Sequence, residues 1–126
     1  MENTLKQMNL EFCGSGKHKI TAEKFLETKN TLFLDVRDKK EVEAIAFDFK
    51  IFGIDTINIP IDELPDRLNE LPKNKLLFSF CSSGTRSAWA YIYLLSKGFN
   101  VKWLDASNED LAKLLKPGRI FKASIK

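Results

Sequence analysis

One six-residue segment, residues 81–86, carries the residue types from which a reactive cysteine is built. It reads Cys-Ser-Ser-Gly-Thr-Arg and lies between an apolar run, Leu76–Phe80, and a helical pattern at residues 87–97. The cysteine is therefore predicted at a strand end, in a turn of small residues that faces a helix N-terminus. Turn amides, the helix dipole and the arginine all favour thiolate over thiol. We expect Cys81 to be a nucleophile with a pKa on the low side of neutral.

The other residues of this turn are candidate substrate ligands. Gly84 permits a left-handed backbone, which lets successive amides converge on one point. The hydroxyl groups of the turn either donate hydrogen bonds to a substrate or only fill space. Arg86 either contacts the bound anion or binds a carboxylate that braces the turn. The predicted substrate-binding residues are Ser82, Ser83, Gly84, Thr85 and Arg86.

Short apolar runs alternate with helical patterns along the chain, which predicts an α/β fold. The runs are apolar on both sides, as in a mostly parallel central sheet with helices on both faces. Pro117 and Gly118 are expected to end the last helix. Strands are predicted at residues 31–36, 56–59, 76–80 and 101–104, and helices at residues 21–28, 38–45, 61–71, 87–97 and 108–115. Pro65 is the alternative break point, at which residues 61–71 would divide into two turns.

Composition excludes several classes of function. The chain has 126 residues, 44% of them hydrophobic, which suits one globular domain. Its net charge of +3 is too small and too evenly spread to indicate nucleic-acid binding. No apolar stretch approaches the ~20 residues of a membrane span, and no signal-peptide pattern is present. We therefore expect a cytoplasmic protein without a membrane or nucleic-acid partner.

Three blocks of sequence together resemble the rhodanese-like sulfurtransferase family. Residues 34–37 (Leu-Asp-Val-Arg) with Glu41 resemble the family's first strand and the helix that follows it. Residues 58–60 (Asn-Ile-Pro) resemble the end of its next strand, and residues 81–87 resemble its active-site loop. The resemblance covers about residues 18–115. It implies one rhodanese-like domain over residues 1–126, with residues 1–17 as an N-terminal extension or an extra strand near residues 10–12.

The resemblance implies transfer of sulfane sulfur. Cys81 would be the catalytic residue, taking sulfur from thiosulfate or a small persulfide and passing it to a thiol or protein acceptor. No metal or organic cofactor is implied. Asp35, Arg37 and Ser87 would support the site: Asp35 by accepting hydrogen bonds from loop amides, Ser87 by starting the helix. Arg37 would bind an anion or form an ion pair with Glu41.

Two other functions remain as alternatives. Cysteine phosphatases and arsenate reductases place five residues between cysteine and arginine, whereas four separate Cys81 from Arg86. The shorter ring favours a sulfur atom over a tetrahedral phosphate. A non-catalytic binding module of the same fold is the second alternative, and the presence of the cysteine argues against it.

Several residues depart from the family's pattern. Phe47, Phe49 and Phe52 occupy a stretch where the family often has Gly-His-Ile, and they are interpreted as core or as an apolar rim that docks an acceptor. Asp-Ala-Ser at residues 105–107 replaces a Gly-Gly pair, which changes the shape of the pocket. Cys13 is either a small residue before a Gly-rich turn or a second thiol that receives sulfur. His18 is expected at the surface or in a turn.

Overall fold

Five strands form one parallel sheet in the computed structural model, which describes residues 1–125. The order across the sheet is β1-β5-β4-β2-β3, so β4 is central. All carboxyl ends of parallel strands lie at the same edge, and Cys81 directly follows β4 there. The strands are β1 (Lys19–Thr21), β2 (Thr31–Asp35), β3 (Asp55–Asn58), β4 (Leu76–Phe80) and β5 (Val101–Asp105).

Helices cover the sheet, and several begin at a residue that caps their free amides. Thr21 Oγ1 accepts a hydrogen bond from the amide of Lys24, and Asp38 forms a reciprocal capping box with Glu41. Nothing in residues 1–125 forms a helix long and apolar enough to cross a bilayer. The helices are α1 (Glu2–Lys6), α2 (Leu10–Ser15), α3 (Ala22–Glu27), α4 (Lys39–Ala44), α5 (Thr85–Ser96), α6 (Asn108–Leu114) and α7 (Pro117–Ser124).

The sheet has a buried core on each face. Alternate side chains of β2 separate the two: Leu32 and Leu34 pack in the core beneath α5, whereas Phe33 packs in the core beneath α3 and α6. The α5 side of the sheet also buries Cys81. Helices on both faces of a parallel sheet confirm the predicted fold class.

The stretch of three phenylalanines belongs mainly to the core. Phe49 is 0% exposed and Phe47 is 4% exposed, and Phe49 meets the rings of Phe25 and Phe33 at centroid distances of 5.1 and 5.2 Å. Phe52 is half-buried against the same cluster. The interpretation of these residues as a docking rim is wrong for Phe47 and Phe49, because neither presents surface to a partner.

The local structure differs from the sequence predictions at several places. Residues 10–12 are not a strand but part of α2, because Asn9 Oδ1 caps the Phe12 amide at 2.9 Å. The additional edge strand is β1, which was not predicted. Residues 61–71, expected as a helix or as two turns divided at Pro65, form two 3-10 turns, Ile61–Asp66 and Leu68–Glu70. Pro117 follows the end of α6, as expected, but α6 is not the last helix, because Pro117 is the first residue of α7.

Candidate active site

Cys81 lies buried at the carboxyl end of the central strand, and its sulfur accepts backbone hydrogen bonds. The amide of Gly84 donates to Cys81 Sγ at 3.1 Å and the amide of Ser87 donates at 3.3 Å. The side chain of Cys81 is 0% exposed. The loop thus forms a ring of donors around the sulfur, which suits a negative charge on that atom.

The sulfur takes the place of a helix cap. The N-cap residue of α5 is Gly84, which has no side chain to bond the amides of the first turn, and it adopts a left-handed backbone with φ +88°. Ser87 is the third residue of the helix, and its amide is the one that a capping oxygen normally satisfies. Because Cys81 Sγ accepts this bond, the start of α5 and the position of the sulfur are fixed together.

The hydroxyl of Ser87 also contacts the sulfur. Ser87 Oγ lies 3.5 Å from Cys81 Sγ, donates to the carbonyl of Gly84 at 3.0 Å and accepts from Trp103 Nε1 at 2.9 Å. Ser87 was predicted only to start the helix, but two of its groups contact Cys81 directly. Trp103 was not predicted at all, because no motif places it near the loop.

The balance of these contacts lowers the pKa of the Cys81 thiol. Burial is the largest single influence and favours the neutral thiol. The contact with the Ser87 hydroxyl and the hydrogen bonds from the amides of Ser87, Ser83 and Gly84 act in the opposite direction and together outweigh burial. The pKa of Cys81 is therefore below its ordinary value, in the direction that the sequence predicts.

Arg86 braces the loop instead of reaching the sulfur. Its guanidinium forms a two-bonded ion pair with the carboxylate of Glu41 on α4, at 2.5 and 2.9 Å. Of the two roles considered for Arg86, the structure has the carboxylate-binding one. The pair holds the first turn of α5 against the first turn of α4.

Arg37 has neither of the two roles predicted for it. It is 1% exposed, and its Nε and Nη2 donate to the carboxylate of Asp35 at 2.7–3.1 Å, while Nη2 also donates to the carbonyl of Ile45. Its guanidinium lies over the rings of Phe47 and Phe80. Arg37 is thus an internal support, whose side-chain hydrogen bonds go to Asp35 and Ile45 and not to Glu41.

Asp35 and Asn58 hold the turn that follows β2. Asp35 Oδ1 accepts from the amide of Arg37 at 3.1 Å, which is the kind of contact predicted for it. Asn58 Nδ2 donates to the carbonyls of Asp35 and Arg37 at 2.9 and 3.0 Å. The Asn-Ile-Pro motif alone predicts no role for Asn58, and this pair of bonds supplies one. Since Asp35 lies beside Phe80 in the sheet, the turn abuts the residue before Cys81.

A cleft opens beside the loop at the edge of the sheet. Ser83 and Thr85 are exposed and Ser82 and Gly84 are half-exposed, so the loop is reachable from solvent although Sγ is not. Within residues 1–125, no hydrogen bond joins the hydroxyls of Ser82, Ser83 or Thr85 to the sulfur. The cleft is lined by Ser82, Ser83, Gly84, Trp103, Asp105, Ala106, Ser107 and Asp110.

Cys13 and His18 lie on the other side of Trp103. Cys13 is exposed, and its Sγ is 3.7 Å from the carbonyl of Met8. His18 is in a turn as expected, but it is half-buried and stacks on Phe12 at 5.1 Å and on Trp103 at 6.3 Å between ring centroids. Of the two settings expected for His18, the turn is the one observed. These rings support one side of the Trp103 indole.

The sequence of this chain matches a known protein family. The model of the Rhodanese-like domain matches residues 20–113, well over half of the chain. The chain belongs to the rhodanese-like family. The rhodanese-like segment runs from β1 almost to the end of α6, and it contains both residues, Gly84 and Ser87, whose hydrogen bonds to Cys81 Sγ are described above.

Similarity to known sulfurtransferases and to a solved rhodanese-related structure is consistent with this membership. A sulfurtransferase of Allochromatium vinosum is 27% identical over 78 residues, which are 62% of this chain and 67% of that protein. The tRNA sulfurtransferase of Escherichia coli K12 is 32% identical over 71 residues, 56% of this chain but only 14% of that protein. A rhodanese-related protein from Thermoplasma volcanium has a crystal structure with TM-score 0.65 and 29% identity, covering 79% of this chain and 95% of that one.

Proposed function

We propose that the protein is a sulfurtransferase that carries sulfane sulfur as a persulfide on Cys81. The observation that carries this proposal is the pair of backbone amides, from Gly84 and Ser87, that donate to Cys81 Sγ in the loop of a rhodanese-like domain. A persulfide is an anion at neutral pH, and the same donors that favour a thiolate favour it. Sulfurtransferases among the relatives add support from family membership.

The first step is a displacement at sulfur. The Cys81 thiolate attacks the outer sulfur of thiosulfate, a new S–S bond forms, and the S–S bond of thiosulfate breaks. Sulfite leaves with the electron pair of that bond, and Cys81 becomes a persulfide. With a small persulfide as donor, the leaving group is the donor's thiolate. The lowered pKa of Cys81 raises the thiolate fraction available for this attack.

The second step returns the thiolate. An acceptor thiolate, or cyanide in an assay, attacks the outer sulfur of the persulfide, and the Cys81 thiolate leaves with the bonding electrons. The reaction requires a small donor and a thiol or protein acceptor, and it involves no metal, organic cofactor, nucleic acid or membrane. Splitting the transfer into two displacements is covalent catalysis.

A non-catalytic binding module is the second candidate, and one observation favours it. Cys81 is 0% exposed, so a donor reaches Sγ only when side chains of the loop move aside. In an enzyme this movement is a step before sulfur loading. In a binding module it does not occur, and the buried sulfur serves only to cap α5.

The test is the mass of the intact protein after treatment with thiosulfate, and separately with a persulfide donor. We expect the wild type to gain one sulfur atom and to lose it to cyanide with turnover, whereas Cys81→Ser gains none. Cys13→Ser is the matched control, because it removes the exposed thiol and keeps the loop intact. If the wild type gains no sulfur from either donor, the sulfurtransferase proposal is wrong and the binding module is favoured.

A further inference from the structure

The Ser87 hydroxyl has three hydrogen-bond partners, Gly84, Trp103 and Cys81, but only one hydrogen to donate. It has one hydrogen and two acceptor positions. The hydrogen is directed at the carbonyl of Gly84, at 3.0 Å, while Cys81 Sγ lies 3.5 Å from the same oxygen. With a neutral thiol, the S–H is the donor to Ser87. With a thiolate or persulfide, that S–H is gone, and the hydroxyl hydrogen must turn towards the sulfur to keep the contact.

Trp103 occupies one of the acceptor positions of this hydroxyl. An indole N–H can only donate, and Trp103 Nε1 lies 2.9 Å from Ser87 Oγ. This bond holds the oxygen in place while its hydrogen turns between Gly84 and Cys81. A donor to an oxygen also makes that hydroxyl a better donor in its turn.

The indole itself is fixed from several directions. It projects from β5, is half-buried, and stacks on His18 with an interplanar angle of 24°. Its other edge lies against the loop, because a Cβ built at Gly84 would be 3.5 Å from Trp103 Cζ2. An indole held on both sides can set the position of the Ser87 hydroxyl.

We propose that Trp103 is a positioning residue for the sulfur chemistry, whose indole N–H holds the Ser87 hydroxyl against Cys81 Sγ. The part of this inference that concerns sulfur transfer rests on the proposed function. The part that concerns the thiolate does not, because it is measured on the free thiol. The residue acts through Ser87 and touches neither donor nor acceptor in this role.

The experiment measures the rate of alkylation of Cys81 by iodoacetamide as a function of pH. All variants carry Cys13→Ser, so that Cys81 is the single thiol of the chain. The variants are Trp103→Phe, Ser87→Ala and the two combined. Trp89→Phe is the matched control, because it is the same substitution at a tryptophan that is 60% exposed.

We expect Trp103→Phe to move the titration midpoint of alkylation to higher pH. At a pH below the midpoint the rate should fall about fivefold, the effect of losing one hydrogen bond. Ser87→Ala should cause a similar or larger shift, and the double variant should match Ser87→Ala alone. Trp89→Phe should leave the profile unchanged.

Two outcomes would overturn the proposal. One is a Trp103→Phe profile that coincides with that of Trp89→Phe. The other is a titration midpoint in the double variant that lies above that of Ser87→Ala by the whole shift that Trp103→Phe causes alone. The indole would then act by a route that does not involve Ser87. Circular dichroism and thermal unfolding of each variant identify loss of fold, and Phe keeps most of the packing of the indole. Failure of sulfur loading in the wild type would refute the proposed function while leaving this alkylation test intact.

Discussion

The guanidinium of Arg86 and the carboxylate of Glu41 form a two-bonded ion pair between positions 45 residues apart in the chain. Glu41 also accepts a hydrogen bond from the amide of Asp38 at 3.1 Å, as part of the capping box of α4. One carboxylate therefore serves both the start of α4 and the first turn of α5. The loop around Cys81 is braced from outside its own sequence.

Replacing Glu41 by Gln tests this brace. The variant loses the charge and one strong acceptor, so Arg86 is released and the donors around Cys81 become less well ordered. We expect sulfur loading to slow by up to about fivefold and the free energy of unfolding to fall by about 1 kcal/mol or less, since the pair is partly exposed. Glu43→Gln, an exposed carboxylate on the same helix, is the control. Equal loading rates in the two variants would contradict the bracing role.

The acid dependence of stability should also change in Glu41→Gln. The hydrogen bonds from Arg86 are the main reason that the pKa of Glu41 is lowered to about 2 from 4.5. Since the folded state has the lower pKa, the pair contributes its full stabilisation above pH 4.5 and loses it as the pH falls towards 2. Urea unfolding should show a constant difference from wild type well above the unfolded pKa, over about pH 6 to 8, and a smaller one at lower pH. A difference that persists at the lowest pH would indicate another cause.

Sulfur loading should retain its rate at pH values where an ordinary thiol is largely protonated. The donors around Sγ lower the pKa of Cys81, so the rate should fall only when the pH drops below that lowered value. Free cysteine, with a pKa of ~8.5, is the reference nucleophile in the same assay. The comparison uses loading rates measured over about pH 5 to 10, which includes the range in which protein thiols commonly titrate. Coincident profiles for protein and free cysteine would show that the loop does not favour the thiolate.

The two cysteines should be distinguished by the size of the reagent. Cys13 is exposed and Cys81 is buried beneath its loop. A bulky aromatic disulfide should label Cys13 quickly and Cys81 slowly in the folded protein, whereas iodoacetamide should reach Cys81 as the loop moves. Peptide mapping after timed labelling gives both rates, and labelling in urea should remove the difference. Fast labelling of both cysteines by the bulky reagent would mean that Cys81 is more open than described.

Truncation of Phe49 should destabilise the fold without direct damage to the loop. Its ring is 0% exposed and packs between Phe25 and Phe33, so Phe49→Ala should reduce the free energy of unfolding by about 3–5 kcal/mol. Phe52→Ala, at a half-buried position next to the same core, should cause a clearly smaller loss. Urea unfolding measures both. Similar losses at the two positions would contradict the core assignment of Phe49.

Local signals predicted much of the fold, and long-range contacts explain the parts that were missed. β4 and the caps at Thr21 and Asp38 could be predicted because apolar runs and capping residues act on their neighbours in sequence. β1 has three residues, too few for a periodic pattern, and it gains its place by pairing with β5.

The site shows the same division. Cys81 and its turn were predicted from six adjacent residues, and Arg86 was correctly given a carboxylate as one of two partners. Arg37 could not be placed, because its interaction with Asp35 depends on both side chains folding into the core after β2. Trp103 reaches the loop only through the pairing of β5 with β4.

The contact between Trp103 and Ser87 has a practical consequence for following the reaction. Trp103 is one of two tryptophans in the chain, and the other, Trp89, is largely exposed. In a Trp89→Phe protein, all indole fluorescence would come from a ring one hydroxyl group away from Cys81 Sγ. Charging and discharging of that sulfur would then alter the emission directly. The chain thus contains an intrinsic optical reporter, with which single turnovers could be watched in a stopped-flow instrument without any attached dye.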